Sequence, residues 1–278
     1  MTHTTSRRQL IVAGVSALAF VGSSTSAQEK GDTIEREKRS QLLDLAISAH
    51  GGAERWRQLS KVSAHVRGGG ALWTVKGQEA AVAGDRTVSA QLHRQSLSFS
   101  PFKLSGQSAS FTPDRVAILR ADGSIVDERT NPRSSFAGHQ RDTPWDDLQA
   151  VYFSGYALWN YLTEPFLFAD AGFATYEIEP WREEEATWRR LRVEFPSDIA
   201  THCREQTFYF DKRGLLKRHD YSVEISGNTP AAQYVYNHKE FSGIIVPTKR
   251  QVFPRLPDGK PMRERLVISI DLDQAVFS

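Results

Sequence analysis

The fold class that this sequence predicts is mainly β with helices, an α+β chain built on a long antiparallel meander. Three observations carry the prediction. Apolar and polar residues alternate over short runs, as in Val62, Ala64, Val66 and in Val88, Ala90, Leu92, which is the period of a strand with one buried face. Turn signals separate these runs, such as Ala121-Asp122-Gly123-Ser124, Asp211-Lys212-Arg213-Gly214 and Ser242-Gly243. Helical spacing is confined to the first part of the chain and to one mid-chain stretch.

Residues 1–27 read as an export signal. Ser6-Arg7-Arg8-Gln9-Leu10-Ile11 has the twin-arginine pattern, residues 10–21 are apolar but short for a membrane span, and Thr25-Ser26-Ala27 supplies small residues for cleavage. No Cys follows the apolar run, so lipid attachment there is not expected. Residues 28–36 are polar and read as a flexible tether, leaving residues 37–278 as a single domain. Leu42, Leu43, Leu45, Ala46 and Ala49 then recur at helical spacing, and His50-Gly51-Gly52 stops that helix. A second short helix carries Trp56 and Leu59. Residues 61–129 read as all β; Gly68-Gly69-Gly70 reads as a strand break, with no helix expected after it. Residues 131–142 form a polar loop. Asp142 or Thr143 is placed to cap the next helix, with Asp146 and Asp147 in its first turn. That helix carries Leu148, Val151, Tyr152, Leu158, Trp159 and Leu162, is apolar nearly all round, and ends at Pro165 before Phe166. This pattern fits a helix buried over the sheet, a lid on a lipophilic cavity, or both. Two strands follow around Glu183-Glu184-Glu185, then four runs between residues 202 and 254, and a closing strand with Leu266, Ile268, Ile270 and Leu272.

Composition bounds the function. The chain has 278 residues, 40% of them hydrophobic, with 6 Trp, 8 Tyr and 15 Phe, enough for a large aromatic core or cavity. Removing residues 1–27 takes Arg7 and Arg8 and no acid, so 33 basic residues balance 33 acidic ones. A near-neutral balance carries no nucleic-acid footprint. Cys203 is the sole cysteine, so no internal disulfide forms; a buried strand thiol is the expected state.

The turns of the four-run meander assign its faces. Pairing Phe210 with Leu215 puts Gln206 opposite His219 and Arg204 opposite Tyr221. Centring the next turn between Asn228 and Thr229 puts His219 opposite His238 and Tyr221 opposite Tyr236. Pairing Phe241 with Ile244 puts Tyr236 opposite Lys249. One face then carries His202, Arg204, Gln206, His219, Tyr221, Tyr234, Tyr236, His238 and Lys249; the other carries Cys203, Glu205, Tyr209, Asp220, Val235, Phe241, Val246 and Val252.

The order of helix, His50-Gly51-Gly52, short helix, then a long meander with one mid-chain helix resembles the lipoprotein-carrier superfamily of LolA and LolB type. The run Gly243-Ile244-Ile245-Val246-Pro247-Thr248 also resembles exported bacterial proteins of unassigned role. The resemblance implies a half-open antiparallel β-barrel curved around the helices, with an apolar cavity between. The same superfamily fold includes an enzyme of pigment biosynthesis, so fold alone does not assign activity. The His and Arg residues of the proposed inner face exceed what an acyl-chain carrier needs.

Three function classes follow. The first is a monomeric periplasmic or secreted carrier or sensor of a hydrophobic or amphiphilic, lipid-like small molecule. Its binding residues would be Arg204, Gln206, His219, Tyr221, Tyr234, Tyr236, His238 and Lys249, with Trp159 and Phe166 on the helix side. The second is an enzyme on the same scaffold, with His219 or His238 as base, Tyr221 as donor and Arg204 as anion clamp. The third is a partner of an envelope protein complex, using the open edge of the sheet. No transmembrane anchor or nucleic-acid partner is indicated. No metal site is expected: His202, His219 and His238 lack H-x-H or H-E-x-x-H spacing, and Asp220 alternates away from His219. The sequence identifies no cofactor. G-x-S-x-G, Walker A, G-x-G-x-x-G and C-x-x-C motifs are absent, which argues against standard hydrolase, nucleotide-dependent and thioredoxin-like chemistry.

Overall fold

A computed structural model describes residues 41–278 apart from Ala83. The expected export signal and tether lie outside the described residues. Helix α1 covers residues 41–49 and α2 Ala53–Arg57. Strand β1 (Lys61–Gly69) leads into α3 (Ala71–Lys76), then β2 (Asp85–Gln91), β3 (Ser96–Ser100), β4 (Gln107–Thr112), β5 (Arg115–Arg120) and β6 (Ile125–Thr130). Helix α4 (Asp147–Thr163) precedes β7 (Ala174–Glu183), β8 (Ala186–Glu194), β9 (Glu205–Phe210), β10 (Leu216–Val223), β11 (Thr229–Phe241), β12 (Ile244–Pro254) and β13 (Ile268–Phe277).

All thirteen strands form one antiparallel sheet, ordered β6-β5-β4-β3-β2-β1-β13-β12-β11-β10-β9-β8-β7. Two meanders are joined where β1 pairs with β13. The open edges are β6 and β7, and α4 is the connection between them. Asp146 caps α4 in a capping box with Gln149, one turn later than the expected Asp142 or Thr143. Every residue of α4 from Leu148 to Thr163 is buried. A helix buried on all sides needs walls on all sides. Phe111 of β4 packs on Tyr152, while Tyr161 meets Tyr221 of β10, and its carbonyl meets Arg250 of β12. The sheet therefore curves around α4, giving a concave face that holds the main core. Gly155 lets the helix seat closely, because a Cβ there would lie 2.3 Å from Phe111. Gly51 does the same for α1: its φ is +122°, and a Cβ would meet the Gly243 carbonyl at 2.2 Å.

The residues expected to be all β include α3 and a 3-10 turn at Glu79–Ala81. A helix does follow Gly68-Gly69-Gly70, with Gly70 as its N-cap and Gly77, left-handed, as its C-cap. Among the described residues, no helix is long and apolar enough to cross a membrane.

Register settles which residues share a face. In the first hairpin, Leu216 pairs with Phe210 and Arg218 with Tyr209, leaving Lys217 as a bulge. His219 therefore faces Phe208 rather than Gln206, a two-residue shift that keeps its side of the sheet. The second turn is longer than expected. Glu224–Ser226 is a 3-10 turn, Gly227 and Asn228 are left-handed, and Val223 pairs with Thr229. His219 consequently faces Gln233 instead of His238, and Tyr221 faces Ala231 instead of Tyr236. That odd shift sends Tyr234 and Tyr236 to the convex face, beside Tyr209 and Trp188. It brings Val235, Val246 and Val252 into the main core. The third turn matches expectation, with Phe241 opposite Ile244 and Tyr236 opposite Lys249.

Candidate functional site

A cavity of about 380 Å³ opens between α3, β10–β12 and residues 264–268. Ligand pockets span roughly 300–1,000 Å³. Leu72 and Val75 of α3, Phe153 of α4, Tyr221 of β10 and Ala231 of β11 line it, and almost all of its surface is apolar. Val75 and Leu266 at the mouth are 47% and 36% exposed. Arg141, Glu264 and Arg265 border it and are exposed; among the described residues, no carboxylate pairs with either arginine. Lys76 shapes this rim from below. Its buried Nζ donates to the carbonyls of Arg141 (2.8 Å) and Thr143 (3.0 Å) and to Ser226 Oγ (3.0 Å). Burial lowers its pKa to about 8, against the pull of Asp142.

Behind Tyr221 lies a buried polar cluster on the concave face. His202 stacks on Tyr221 with centroids 3.9 Å apart. Its Nδ1 lies 3.1 Å from the Tyr156 hydroxyl and its Nε2 2.9 Å from that of Tyr161, which also meets the Tyr221 hydroxyl at 3.2 Å. A neutral imidazole donates at one nitrogen and accepts at the other, and burial, aided by Arg133, lowers the His202 pKa to about 3. His219 stacks on Phe208, its Nε2 lies 2.6 Å from Gln206 Oε1, and burial lowers its pKa well below the ordinary value. Arg250 donates to Glu164 Oε1, Gln233 Oε1 and the Tyr161 carbonyl, each at 2.7 Å. Burial raises the pKa values of Tyr156, Tyr161 and Tyr221, so these hydroxyls keep their protons.

The structure thus brings His202, Gln206, His219 and Tyr221 together and separates the other predicted residues from them. Tyr221 lines the cavity. Arg204 is exposed, 3.9 Å from Glu194. Lys249 lies 3.7 Å from Asp271. Tyr234 donates to Glu183 on the convex face, with Tyr236 packed beside it. His238 lies against His50. Trp159 donates to the Gln91 carbonyl, and Phe166 stacks on Trp56 at 4.2 Å. Cys203 is buried just before β9 rather than within a strand, and burial raises its pKa to about 11. Sequence reasoning missed α3 and residues 264–268 as cavity walls. Lys76-Gly77 was the available signal, a basic residue followed by a left-handed glycine at a helix end.

The same fold recurs in solved structures. A DUF1329 family protein from Desulfovibrio piger superposes with a TM-score of 0.50 at 11% identity, over 86% of this chain and 93% of that one. A LolA superfamily protein from Nitrosomonas europaea gives 0.48 at 8% identity, over 86% and 93%. An outer membrane lipoprotein-sorting protein domain from Vibrio parahaemolyticus gives 0.49 at 9% identity, over 87% and 93%. No family model and no curated protein matches the sequence. At such identities the likeness concerns architecture alone, and the architecture shared with the DUF1329 family protein is a mainly antiparallel open sheet with few helices.

Proposed function

We propose that the protein is a periplasmic carrier or sensor that holds an amphiphile, with the apolar chain in the cavity and an anionic head at Arg141 and Arg265. One observation carries this reading: a preformed apolar cavity of ligand size whose mouth combines exposed Val75 and Leu266 with two arginines that, among the described residues, pair with no carboxylate. Such a mouth suits a molecule that is greasy at one end and charged at the other. The twin-arginine pattern at Arg7 and Arg8 supports the location. The rival reading, an enzyme acting on a hydrophobic substrate, keeps one supporting observation: Tyr221 both lines the cavity and belongs to the His202 cluster.

Titration of the purified protein with a fluorescent long-chain fatty acid tests the proposal. Ala231→Trp, which fills the cavity, should weaken binding at least about tenfold. Arg141→Ala and Arg265→Ala should weaken the carboxylate probe more than its uncharged alcohol analogue. Unchanged binding in Ala231→Trp would exclude the cavity as the site. Tyr221→Phe separates the rivals: retained binding with loss of a measured turnover favours the enzyme.

A further inference from the structure

We propose that the ligand of the apolar cavity carries a second oxygen, a carbonyl or ester within its apolar chain, that accepts a hydrogen bond from the Tyr221 hydroxyl. The inference rests on the carrier function proposed for this cavity and narrows its ligand class. It follows from the protons of the Tyr156, His202, Tyr161 and Tyr221 cluster. Burial keeps the His202 imidazole neutral, so three hydroxyls and one ring N–H bring four protons. The cluster offers three contacts: Tyr156 to Nδ1 at 3.1 Å, Tyr161 to Nε2 at 2.9 Å, and Tyr161 to Tyr221 at 3.2 Å. Each contact uses one proton, so one donor is left over.

The tautomer of His202 decides which donor that is. With the proton on Nδ1, the ring donates to Tyr156, Tyr161 donates to Nε2, and Tyr221 donates to Tyr161. The Tyr156 proton is then left over. Tyr156 is 0% exposed, and among the described residues its hydroxyl meets only His202. A donor stranded there loses its solvation and gains nothing in return. The Arg133 charge opposes the same tautomer. Arg133 donates to the carbonyl of Thr201, next to His202, at 3.1 Å, and its charge acts on both Tyr156 and His202. At Tyr161 the acting cation is Arg250, which Glu164 pairs. The ring lone pair therefore belongs on the Tyr156 side, at Nδ1.

With the proton on Nε2, Tyr156 donates to Nδ1 and Nε2 donates to Tyr161. One acceptor then remains for the Tyr161 proton, the Tyr221 oxygen. Gln233 does not take it: its Oε1 accepts from Arg250, and its Nε2 is itself a donor without a partner. The donor left over is the Tyr221 O–H, and Tyr221 is the member of the cluster that lines the cavity. The hydrogen bonds thus run outward from Tyr156 and end on an unspent donor at an apolar wall. Burial holds the proton on Tyr221, so the wall selects an acceptor. A few placed polar groups in an apolar pocket fix a ligand's orientation. A plain acyl chain leaves this donor unmet, whereas a keto or ester oxygen meets it.

The test displaces the fluorescent fatty acid from the full chain with stearate and with oxostearates whose single carbonyl moves along the chain. At one carbonyl position, Tyr221→Phe should lower affinity about three- to tenfold more than it lowers affinity for stearate. The isotope-labelled carbonyl of that oxostearate should absorb at a lower infrared frequency on the wild type than on Tyr221→Phe. If Tyr221→Phe fails to fold, the wild-type series decides alone: one carbonyl position must absorb below the others. Equal losses at every position, or a carbonyl band that neither position nor Tyr221→Phe moves, would overturn the inference and leave a resident water as the acceptor. Failure of stearate and of every oxostearate to bind would overturn the carrier function, and this inference with it.

Discussion

The two halves of the sheet solve burial differently. In β2 and β3, buried and exposed residues alternate, so each strand has one wet face. In β10, Arg218 to Tyr221 are buried in succession, and in β11, Ala231 to Val235. The second region is covered twice. Helix α4 lies on its concave face, and on the convex one Gly259 meets Arg218 and Trp181 while Arg263 lies over Tyr234. There Arg218 is fully buried and donates to Asp220 at 2.6 and 2.8 Å, to Tyr234 at 2.9 Å, and to the Gly259 carbonyl. Glu183 lies 3.2 Å away. A strand covered on both faces loses its alternation, and each polar group within it must find a partner.

Substitutions can break this contrast. The largest effect is expected from Arg218→Met, which removes the fully buried cation between Asp220 and Glu183 and leaves them only the more exposed Arg255 and Arg263; unfolding in urea should show a loss of about 3 kcal/mol. Acid comes next. The folded-state pKa values of His50 and His202 lie at about 4 and about 3, below the ordinary 6.5. The unfolded chain therefore takes up these protons first as pH falls. Stability is full above about 6.5 and declines toward 4 by on the order of 1 kcal/mol per pH unit for each histidine, readable as a falling urea midpoint. A midpoint independent of pH between 7 and 4.5 would contradict buried neutral imidazoles. Gly155→Ala should cost about 1–3 kcal/mol by overpacking against Phe111, although alanine is the better helix former. The smallest effect belongs to the one-sided region. Arg115→Ala loses a half-exposed pair with Glu128 and should change stability by less than about 1 kcal/mol.

The same contrast decided what the sequence disclosed. One-sided strands such as β2, and tight turns such as Ser242-Gly243, showed their register through period and glycine. The turn after Val223 did not. Its 3-10 segment added residues that no alternation marks, and Pro230 entered β11 instead of ending a run. An odd shift there moved Tyr234 and Tyr236 out of the predicted site. Helix α3 stayed hidden because Trp73 and Val75 read equally well as strand residues. The cavity wall at Leu266 depends on how residues 255–267 fold, which local pattern does not encode.

The pairing of β1 with β13 has a consequence for assembly. Val62 faces Phe277, and the Ser278 carbonyl accepts from the backbone N–H groups of Ser60 and Lys61. The middle of the sheet is thus a seam between segments far apart in the chain, which makes its closure a slow, long-range event. Without β13, the thirteen strands part into two halves of six, so this single strand is the keystone by which either half supports the other.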